Sequence, residues 1–436
     1  MCYIKQIIQK PIPLPEGKRV PFGLDYLTIP SDGTPVKIFF SNQNCPSRGK
    51  IKGLARIRIS YPLQPFDLKL TQDVAQRILS SGLYLVQTEG FENTVFFSEK
   101  KDSIFSIRIL FEQDYADATV EFKNRLFSLS SLQPFGWMEG RVLDGLYTLY
   151  EGGNAQPLNT IRSHIGTYIR QERLIYEDPR SRVCDDTIYG IEACLPFAII
   201  TNTGIGKEVL PLFIQFIETF KSKGVISDSD FISAEGAYTI AYPLAVVSVL
   251  QNDPLLAERA IQELLIRKQM LRCGNDLYLR CSEKGRSFKN WGRAFVWYMM
   301  GLVQVMGAFK KAGISYLQEL IQELRNVAEI ASNSLSNGLC PVFLGEEETG
   351  TETSGNAGIA VALFLGINSG LLNSAYFQII CRTYERLTSY LTPDGMLCGA
   401  SQSNKGGEQL QRCGYRVISP MAMGLMAHIL GMGEVV

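Results

Sequence analysis

The stretch NWGRAFVWYMMGLVQVMGAF, residues 290–309, decides how the chain is built, because a short polar and aromatic opening leads into a long apolar helix. The apolar core of this helix ends near a glycine, and five other apolar helix cores end near a glycine or an Asn-Asp turn. The six cores, which start about 50 to 65 residues apart, are Gly145–Gly153, Leu195–Gly204, Tyr242–Asp253, Trp297–Gly307, Val361–Gly370 and Met421–Gly431. This spacing leaves room for two helices and their loops in each unit, which predicts six helical hairpins.

An array of hairpins can form an open solenoid or a closed ring. Solenoid units tend to be short and regular, whereas the loops here are long and uneven, for example Asn275–Asn290 and Gly345–Gly358. We therefore predict a mainly α protein in which residues 131–436 form an (α/α)6 barrel, a six-hairpin toroid. Its loops are expected to build a functional rim.

The first part of the chain has a different character, with short runs of β-branched and aromatic residues separated by turn residues. The runs are Val36–Phe40, Leu54–Ser60, Leu83–Thr88, Thr94–Ser98, Ile104–Phe111 and Ala118–Phe122, and one helix-like segment lies at Asp73–Leu79. This pattern predicts a β-rich accessory domain over residues 1–130.

Composition excludes several functional classes. The 43 Lys and Arg residues balance 43 Asp and Glu residues without a basic run, which argues against a nucleic-acid partner. No apolar run approaches the length of a membrane span, so no membrane partner is expected. The two histidines, His164 and His428, lack metal-ligand spacing, which argues against histidine zinc sites and Ser-His-Asp triads. Proton chemistry would therefore depend on carboxylates.

The ten cysteines form no Cys-x-x-Cys pair, and they are scattered through apolar segments, as Cys194 and Cys381 are. This distribution is typical of buried free thiols in a reducing compartment. Residues 1–15 lack the apolar core of a secretory signal. We expect a cytoplasmic protein, and the sequence leaves a homodimer open.

Polar and aromatic residues cluster where three successive apolar helices begin. The candidates are Asp185, Asp186, Glu235, Tyr238, Trp291, Arg293 and Trp297. In a ring these helix starts would converge on one rim. Carboxylates, an arginine and aromatic rings together are suited to gripping a sugar acid, with one carboxyl group as general acid and base.

Each candidate also has a structural interpretation. Asp185, Asp186 and Glu235 could cap helices, because acids accept hydrogen bonds from free backbone N–H groups. Arg293 could form an ordinary salt bridge at the rim. The tryptophans could belong to the core.

The octapeptide Trp291-Gly-Arg293-Ala-Phe-Val-Trp297-Tyr298 resembles the Trp-x-Arg-x-x-x-Trp signature of the unsaturated glucuronyl and rhamnogalacturonyl hydrolases, glycoside hydrolase families 88 and 105. Glu235-Gly236-Ala-Tyr238 is similar to the Asp-Gly-x-Tyr stretch of these families, and Asp185-Asp186 is similar to their Asp-Asp stretch. Glu352-Thr-Ser-Gly-Asn-Ala357 resembles their Glu-Thr-Ser-x-x-Ala segment. The resemblance extends over about residues 135–432 and preserves the order of the segments.

The resemblance implies an (α/α)6 barrel and an oligosaccharide substrate with a terminal unsaturated uronic acid. The implied reaction is hydration of the C4=C5 double bond that polysaccharide lyases leave, without a metal or organic cofactor. The acid/base role falls on Glu235, and that of the second acid falls on Asp185 or Asp186. The implied substrate-binding residues are Trp291, Arg293, Trp297, Arg280, Tyr238 and Glu352.

Two positions depart from the family pattern. Glu235 replaces an aspartate, and the extra methylene shifts the carboxyl group by about 1.5 Å, enough to affect catalysis. Arg280 replaces a histidine, so a fixed cation stands where the family has a titrating group. Two alternatives therefore stay open: an inverting glycosidase that uses Asp186 and Glu235, and a carbohydrate-binding protein that has lost catalysis.

Overall fold

The computed structural model describes residues 117–179, 182–220, 224–228, 230–335 and 338–430, together with six short strands and residues 71 and 73 nearer the N-terminus. The α-helices of these ranges are α1 Ala118–Leu126, α2 Trp137–Glu151, α3 Gln156–Tyr168, α4 Pro196–Thr203, α5 Leu210–Glu218, α6 Tyr242–Gln251, α7 Pro254–Leu271, α8 Gly292–Ala312, α9 Gln318–Ser334, α10 Thr353–Asn368, α11 Phe377–Thr388, α12 Gly407–Arg412 and α13 Pro420–Leu430. The protein is mainly helical, as predicted.

Six helices form a closed inner ring in the order α2, α4, α6, α8, α10 and α13. Each packs against the next, and α13 packs against α2. The outer helices α3, α5, α7, α9 and α11 each lie against the inner helix that precedes them, while α1 lies against α13. These contacts give six helical pairs. The six apolar cores recognised in the sequence all lie on the inner ring.

The inner helices are apolar around most of their circumference, because they contact neighbours on both sides and the barrel interior as well. Helix α10 is buried continuously from Thr353 to Leu363. Outer helices are amphipathic instead, and α11 buries Ile380, Thr383 and Leu387 at helical spacing. The ring is closed by a close approach of two glycines, since a Cβ on Gly145 would clash with the Gly424 carbonyl.

Helix α1 replaces the strand that the sequence predicted at Ala118–Phe122, so that prediction is wrong. The Asp117 side chain caps the helix by accepting a hydrogen bond from the first turn at 2.6 Å. Phe122 and Leu126, four residues apart, face the core, while Val120 is 53% exposed. The burial thus follows the helical period, and α1 supplies the outer partner of the sixth inner helix.

Six short strands lie before α1. They are β1 Cys2–Ile4, β2 Val36–Ser41, β3 Ala55–Ile59, β4 Leu68–Leu70, β5 Tyr84–Glu89 and β6 Ile109–Phe111. All their pairings are antiparallel: β2 pairs with β3 and β5, and β1 pairs with β4 and β6. The predicted strand at Thr94–Ser98 and nearly all of the predicted helix at Asp73–Leu79 lie outside the described residues. The β-rich accessory domain over residues 1–130 stays a prediction.

Short strands in the loops of the ring place the candidate site. They are β7 Ile169–Arg170, β8 Arg173–Glu177, β9 Val183–Asp185, β10 Phe231–Ser233, β11 Arg272–Cys273, β12 Asp276–Ser282, β13 Gly285–Lys289, β14 Ala400–Ser401 and β15 Arg416–Val417. β12 pairs antiparallel with β10, β11 and β13, and β14 pairs with β15. None of the helices in the described ranges is both long and apolar enough to cross a bilayer.

Candidate active site

Glu235 lies directly after β10, at the point where the chain turns into the inner helix α6. The antiparallel pairing of β10 with β12 sets Ser233 opposite Arg280, which brings Arg280 to the same end of the barrel as Glu235. A turn of π-helix, Ala237–Ala241, separates Glu235 from α6. Such turns are rare and often occur at functional sites.

Three carboxyl groups converge here. Glu192, Asp228 and Glu235 each offer an oxygen that lies within 4.8 Å of the other two. Glu192 is buried on the short helical turn before α4, and the other two acids are half-buried. Among the described residues these oxygens could hold a cation, but Lys405 and Arg280 already supply positive charge beside them.

The partners of the three acids differ. Glu192 accepts hydrogen bonds from Tyr189 Oη at 3.0 Å and from Lys405 Nζ at 2.8 Å, which compensates its negative charge. Glu235 accepts a hydrogen bond from Asn404 Nδ2 at 2.7 Å. Asn404 and Lys405 lie on the short helical turn directly before α12, so a segment distant in the sequence completes this site.

Burial raises the pKa of Glu235, and the charge of Glu192 raises it further, while Arg280 opposes the shift. Burial also raises the pKa of Asp228. A raised pKa favours the protonated carboxyl group at a pH where an ordinary glutamate is ionised. Glu235 is therefore suited to donate a proton.

Arg267 on α7 holds the two segments that carry these acids. It is buried, and it donates from Nε to the Ser233 carbonyl at 3.0 Å and from Nη2 to the Ile226 carbonyl at 2.8 Å. Ser233 precedes Glu235 by two residues, and Ile226 precedes Asp228 by two. A single guanidinium group thus fixes both segments.

Glu263, one turn earlier on α7, completes this clamp. Its carboxylate pairs with Arg267 and accepts a hydrogen bond from the Ile226 N–H at 3.0 Å. The guanidinium of Arg267 also explains Gly236 in the motif, because a Cβ at that position would clash with it. The glycine therefore serves close packing beside Glu235.

A second group of polar side chains lies inside the ring. The guanidinium carbon of Arg141 on α2 lies 3.3 Å from the ring centroid of Trp297 and 4.4 Å from that of Tyr238. Tyr238 donates a hydrogen bond to Asp144, and Gln304 Nε2 donates to the same carboxylate at 3.0 Å. Burial raises the pKa of Asp144 to about 6. Tyr238, predicted to contact substrate, is thus fully buried with its hydroxyl group bonded to Asp144.

Asp185 and Asp186 lie away from this cluster, on the β8–β9 hairpin. Asp185 is exposed and Asp186 is half-buried, and they pair with Arg173 at 2.5 Å and 3.2 Å. Asp186 also accepts a hydrogen bond from the Leu174 N–H at 2.9 Å. In the described part of the chain no contact joins either aspartate to Glu235. The structure does not bring the predicted acid pair together, because the local charges are engaged within the hairpin.

Arg293 and Trp291 are also buried. Arg293 donates to the backbone carbonyls of Ser401, at 3.3 Å, and Gln402, at 2.5 Å. Its guanidinium carbon lies 4.5 Å from the Trp291 ring centroid. These contacts anchor the loop that delivers Asn404 to Glu235. Arg293 therefore acts in this structure by positioning that loop.

Glu352 is the N-cap of α10. Its oxygens accept hydrogen bonds from the Ser354 N–H at 2.9 Å, the Ser354 hydroxyl at 2.5 Å, the Ser401 N–H at 3.0 Å and the Gly355 N–H. The resemblance assigned Glu352 to substrate binding. In this structure its buried carboxylate is the acceptor that caps α10.

Sequence reasoning missed Glu192, Asp228, Arg141, Asn404 and Lys405. Glu192 could have been found, since it is the acid nearest to the start of α4, but the apolar run around it predicted core. Asn404 and Lys405 carried no local signal. Their partners are 169 and 213 positions away, and closure of the ring brings them together.

The inner and outer helices form a six-hairpin toroid, a fold that this chain shares with glycoside hydrolases of families 88 and 105. A family model described as Glycosyl Hydrolase Family 88 matches residues 239–427. This match confirms the resemblance predicted from the tryptophan-arginine motif and supports a glycoside hydrolase. No curated protein matches the chain.

Three solved structures share the fold. A possible member of glycoside hydrolase family 105 from Salmonella enterica subsp. enterica serovar Paratyphi A is 16% identical, with a TM-score of 0.58 over 72% of this chain and 92% of that chain. A family 105 glycoside hydrolase from C. acetobutylicum is 19% identical, with a TM-score of 0.57 over 72% and 100%. An unsaturated glucuronyl hydrolase responsible for the degradation of glycosaminoglycan, from Bacillus sp. GL1, is 13% identical, with a TM-score of 0.50 over 73% and 95%.

Proposed function

We propose that this protein hydrates the C4=C5 double bond of the terminal unsaturated uronic acid in oligosaccharides released by polysaccharide lyases. The observation that carries the proposal is the convergence of Glu235 with Glu192 and Asp228 at the rim. The resemblance to families 88 and 105 supports the same chemistry. Glu235 is the proposed acid, and Glu192 takes the place that Asp185 or Asp186 was expected to fill.

The reaction proceeds in three steps. The Glu235 carboxyl group donates its proton to C4, and the ring oxygen stabilises the positive charge that develops at C5. Water adds to C5 and gives up a proton to the Glu235 carboxylate, which restores the acid. The resulting hemiketal opens and rearranges, which releases the remainder of the oligosaccharide from C1. The Glu192 carboxylate, held by Lys405, is placed to stabilise the cationic transition state.

The direct test follows the ultraviolet absorbance of the conjugated double bond in lyase-generated disaccharides from pectin, glycosaminoglycans and ulvan. The wild-type protein should remove this absorbance, and Glu235→Gln should abolish the loss. Asp186→Asn is the matched control, because this half-buried carboxylate pairs with Arg173 outside the site and its removal should leave turnover unchanged. If the wild type consumes no substrate in the panel, hydration is refuted.

The pH profile offers a second readout. Turnover needs the protonated Glu235, so the rate should fall as pH rises through its raised pKa. Lys405→Met removes the positive charge beside Glu192. Without it the neighbouring Glu192 and Glu235 carboxyl groups should hold a shared proton more tightly, so the fall in rate should move to higher pH. If the rate of Lys405→Met falls at the same pH as that of the wild type, the proposed roles of Glu235 and Glu192 are contradicted.

The two alternatives from the sequence predict different results. An inverting glycosidase needs carboxyl groups about 6.5–9.5 Å apart, to leave room for a water molecule. The pair that the sequence offered for this reaction is Asp186 and Glu235, and Asp186 is paired instead with Arg173 on the β8–β9 hairpin. A protein that only binds carbohydrate would show no turnover, with equal ligand affinity in the wild type and Glu235→Gln.

We further propose that the protein acts in the cytoplasm. Eight cysteines in the described ranges are free thiols, and four of them, Cys184, Cys194, Cys340 and Cys398, are buried. The identity of the uronic acid and a homodimeric state stay open predictions.

A further inference from the structure

Arg141 carries a buried positive charge for which the described residues provide no hydrogen-bond acceptor. The residue is 1% exposed, and its Nε and Nη1 atoms have no partner. Asp144 and Glu235 act on the guanidinium group through space, but neither accepts a hydrogen bond from it in the described part of the chain. Burial lowers the pKa of Arg141 to about 9, which leaves the group charged at neutral pH.

The other buried arginines of the ring differ in this respect. Arg267 donates to two backbone carbonyls and to the Glu263 carboxylate, and Arg293 donates to the carbonyls of Ser401 and Gln402. A buried charge without such partners is costly, so proteins rarely retain one without a use. Arg141 therefore stands apart from the arginines that stabilise the fold.

Stacking satisfies only the faces of the Arg141 guanidinium group. Trp297 lies 3.3 Å away and Tyr238 lies 4.4 Å away, from guanidinium carbon to ring centroid. The N–H donors of a guanidinium group point along its plane, where stacked rings offer no acceptor. A planar carboxylate that approaches the edge of the group would satisfy two donors at once.

The position of Arg141 relates this edge to the candidate active site. Trp137 lies one helical turn earlier on α2, so the two side chains share a face of the helix. Trp137 is half-buried, and its ring centroid lies 5.7 Å from that of Trp297. Glu235 is within electrostatic range of Arg141. A ligand that lies against Trp137 and reaches Glu235 would therefore approach the guanidinium group.

We propose that Arg141 binds the carboxylate of a sugar acid and sets the specificity of the site for acidic over neutral sugars. This inference rests on the proposed function, since it assigns the substrate carboxylate to a particular residue. It also separates the arginines by role. Arg293, suggested by the sequence motif, positions the Asn404 loop, whereas Arg141 contacts the ligand.

The test compares D-glucuronate with D-glucose as probes, which differ only at C6, a carboxylate in the first and a hydroxymethyl group in the second. Binding is measured by calorimetry and by the fluorescence of Trp137 and Trp297. The wild type should prefer glucuronate, and Arg141→Met should weaken glucuronate binding about tenfold or more while glucose binding is unchanged. Arg141→Lys should fall between them, because lysine keeps the charge without the planar fork. Arg173→Met, which removes an exposed arginine, is the matched control and should bind like the wild type.

Equal glucuronate affinity in the wild type and Arg141→Met would overturn the proposal, as would a wild type without a preference for glucuronate. If Arg141→Met does not fold, Arg141→Lys decides, and unchanged glucuronate affinity in that variant overturns the proposal. The proposed function fails separately. Glucuronate binding that depends on Arg141, without consumption of unsaturated substrates, would refute hydration and leave the carboxylate site standing.

Discussion

Replacing Arg267 with methionine should both destabilise the barrel and misplace its acids. The substitution removes the hydrogen bonds to the carbonyls of Ser233 and Ile226 and leaves the buried Glu263 without its nearest cation. Breaking a buried ion pair from one side costs about 3–5 kcal/mol, because the remaining charge is stranded in a medium of low polarity. Arg259 Nη2, 3.0 Å from Glu263, offsets part of this cost.

For a barrel of about 300 residues, such a loss should lower the thermal midpoint by about 5–8 °C. Arg259→Met is the matched control, since Arg259 lies on the same helix and pairs with the same acid but is partly exposed. It should lower the midpoint by much less. Differential scanning calorimetry of the two variants measures the difference directly.

Turnover of Arg267→Met should fall as well, even at temperatures where the variant is folded. A displacement of about 1 Å in a catalytic group can cost a hundredfold in rate, and the lost bonds lie two residues from Glu235 and Asp228. If Arg267→Met melts no lower than Arg259→Met, the buried pair does not stabilise the barrel. If its turnover equals that of the wild type, the clamp does not position the acids.

Three further predictions concern the ring itself. Burial raises the pKa of Asp144 from 3.8 to about 6, so stability should fall as pH rises between these values, and Asp144→Asn should flatten that slope in urea titrations. Gly145→Ala should lower the thermal midpoint strongly because its Cβ meets the Gly424 carbonyl, whereas Gly166→Ala, with open space around it, should raise the midpoint slightly. Glu352→Ala should lower the free energy of unfolding by about 0.5–2 kcal/mol through loss of the cap, and further through loss of the hydrogen bond from the Ser401 N–H. Glu352→Gln should lower it less, and chemical unfolding measures both.

The inner ring could be predicted from the sequence because a helix surrounded by protein must be apolar on nearly every side. Helix α10 shows this, with uninterrupted burial from Thr353 to Leu363. Helix α1 could not be predicted in the same way. Its segment is short enough to fit the period of a strand as well as that of a helix. The helix forms because it packs against α13 and because Asp117 caps it.

The candidate site was predicted in part. Glu235 and Arg280 were found because they follow recognisable motifs, and β10–β12 pairing brings them to the same end of the barrel. Asp186 was predicted as a site acid but pairs with Arg173. The sequence pattern of an acid beside a helix start is the same whether the acid faces the cleft or pairs with a nearby arginine. Glu192 and Lys405 became visible only through their contact across the closed ring.

The seam between α2 and α13 has a consequence for how the protein is made. A ribosome that adds about 5–20 residues per second needs about 15–60 seconds to proceed from the end of α2 to the end of α13. During that interval neither α2 nor α1 can pack against α13, which contacts both of them in the folded ring. Nascent chains should therefore expose the apolar face of α2 that α13 covers until this last inner helix emerges. The exposed face favours binding by a chaperone during synthesis. Chains released before residue 420 should aggregate instead of settling into a smaller ring.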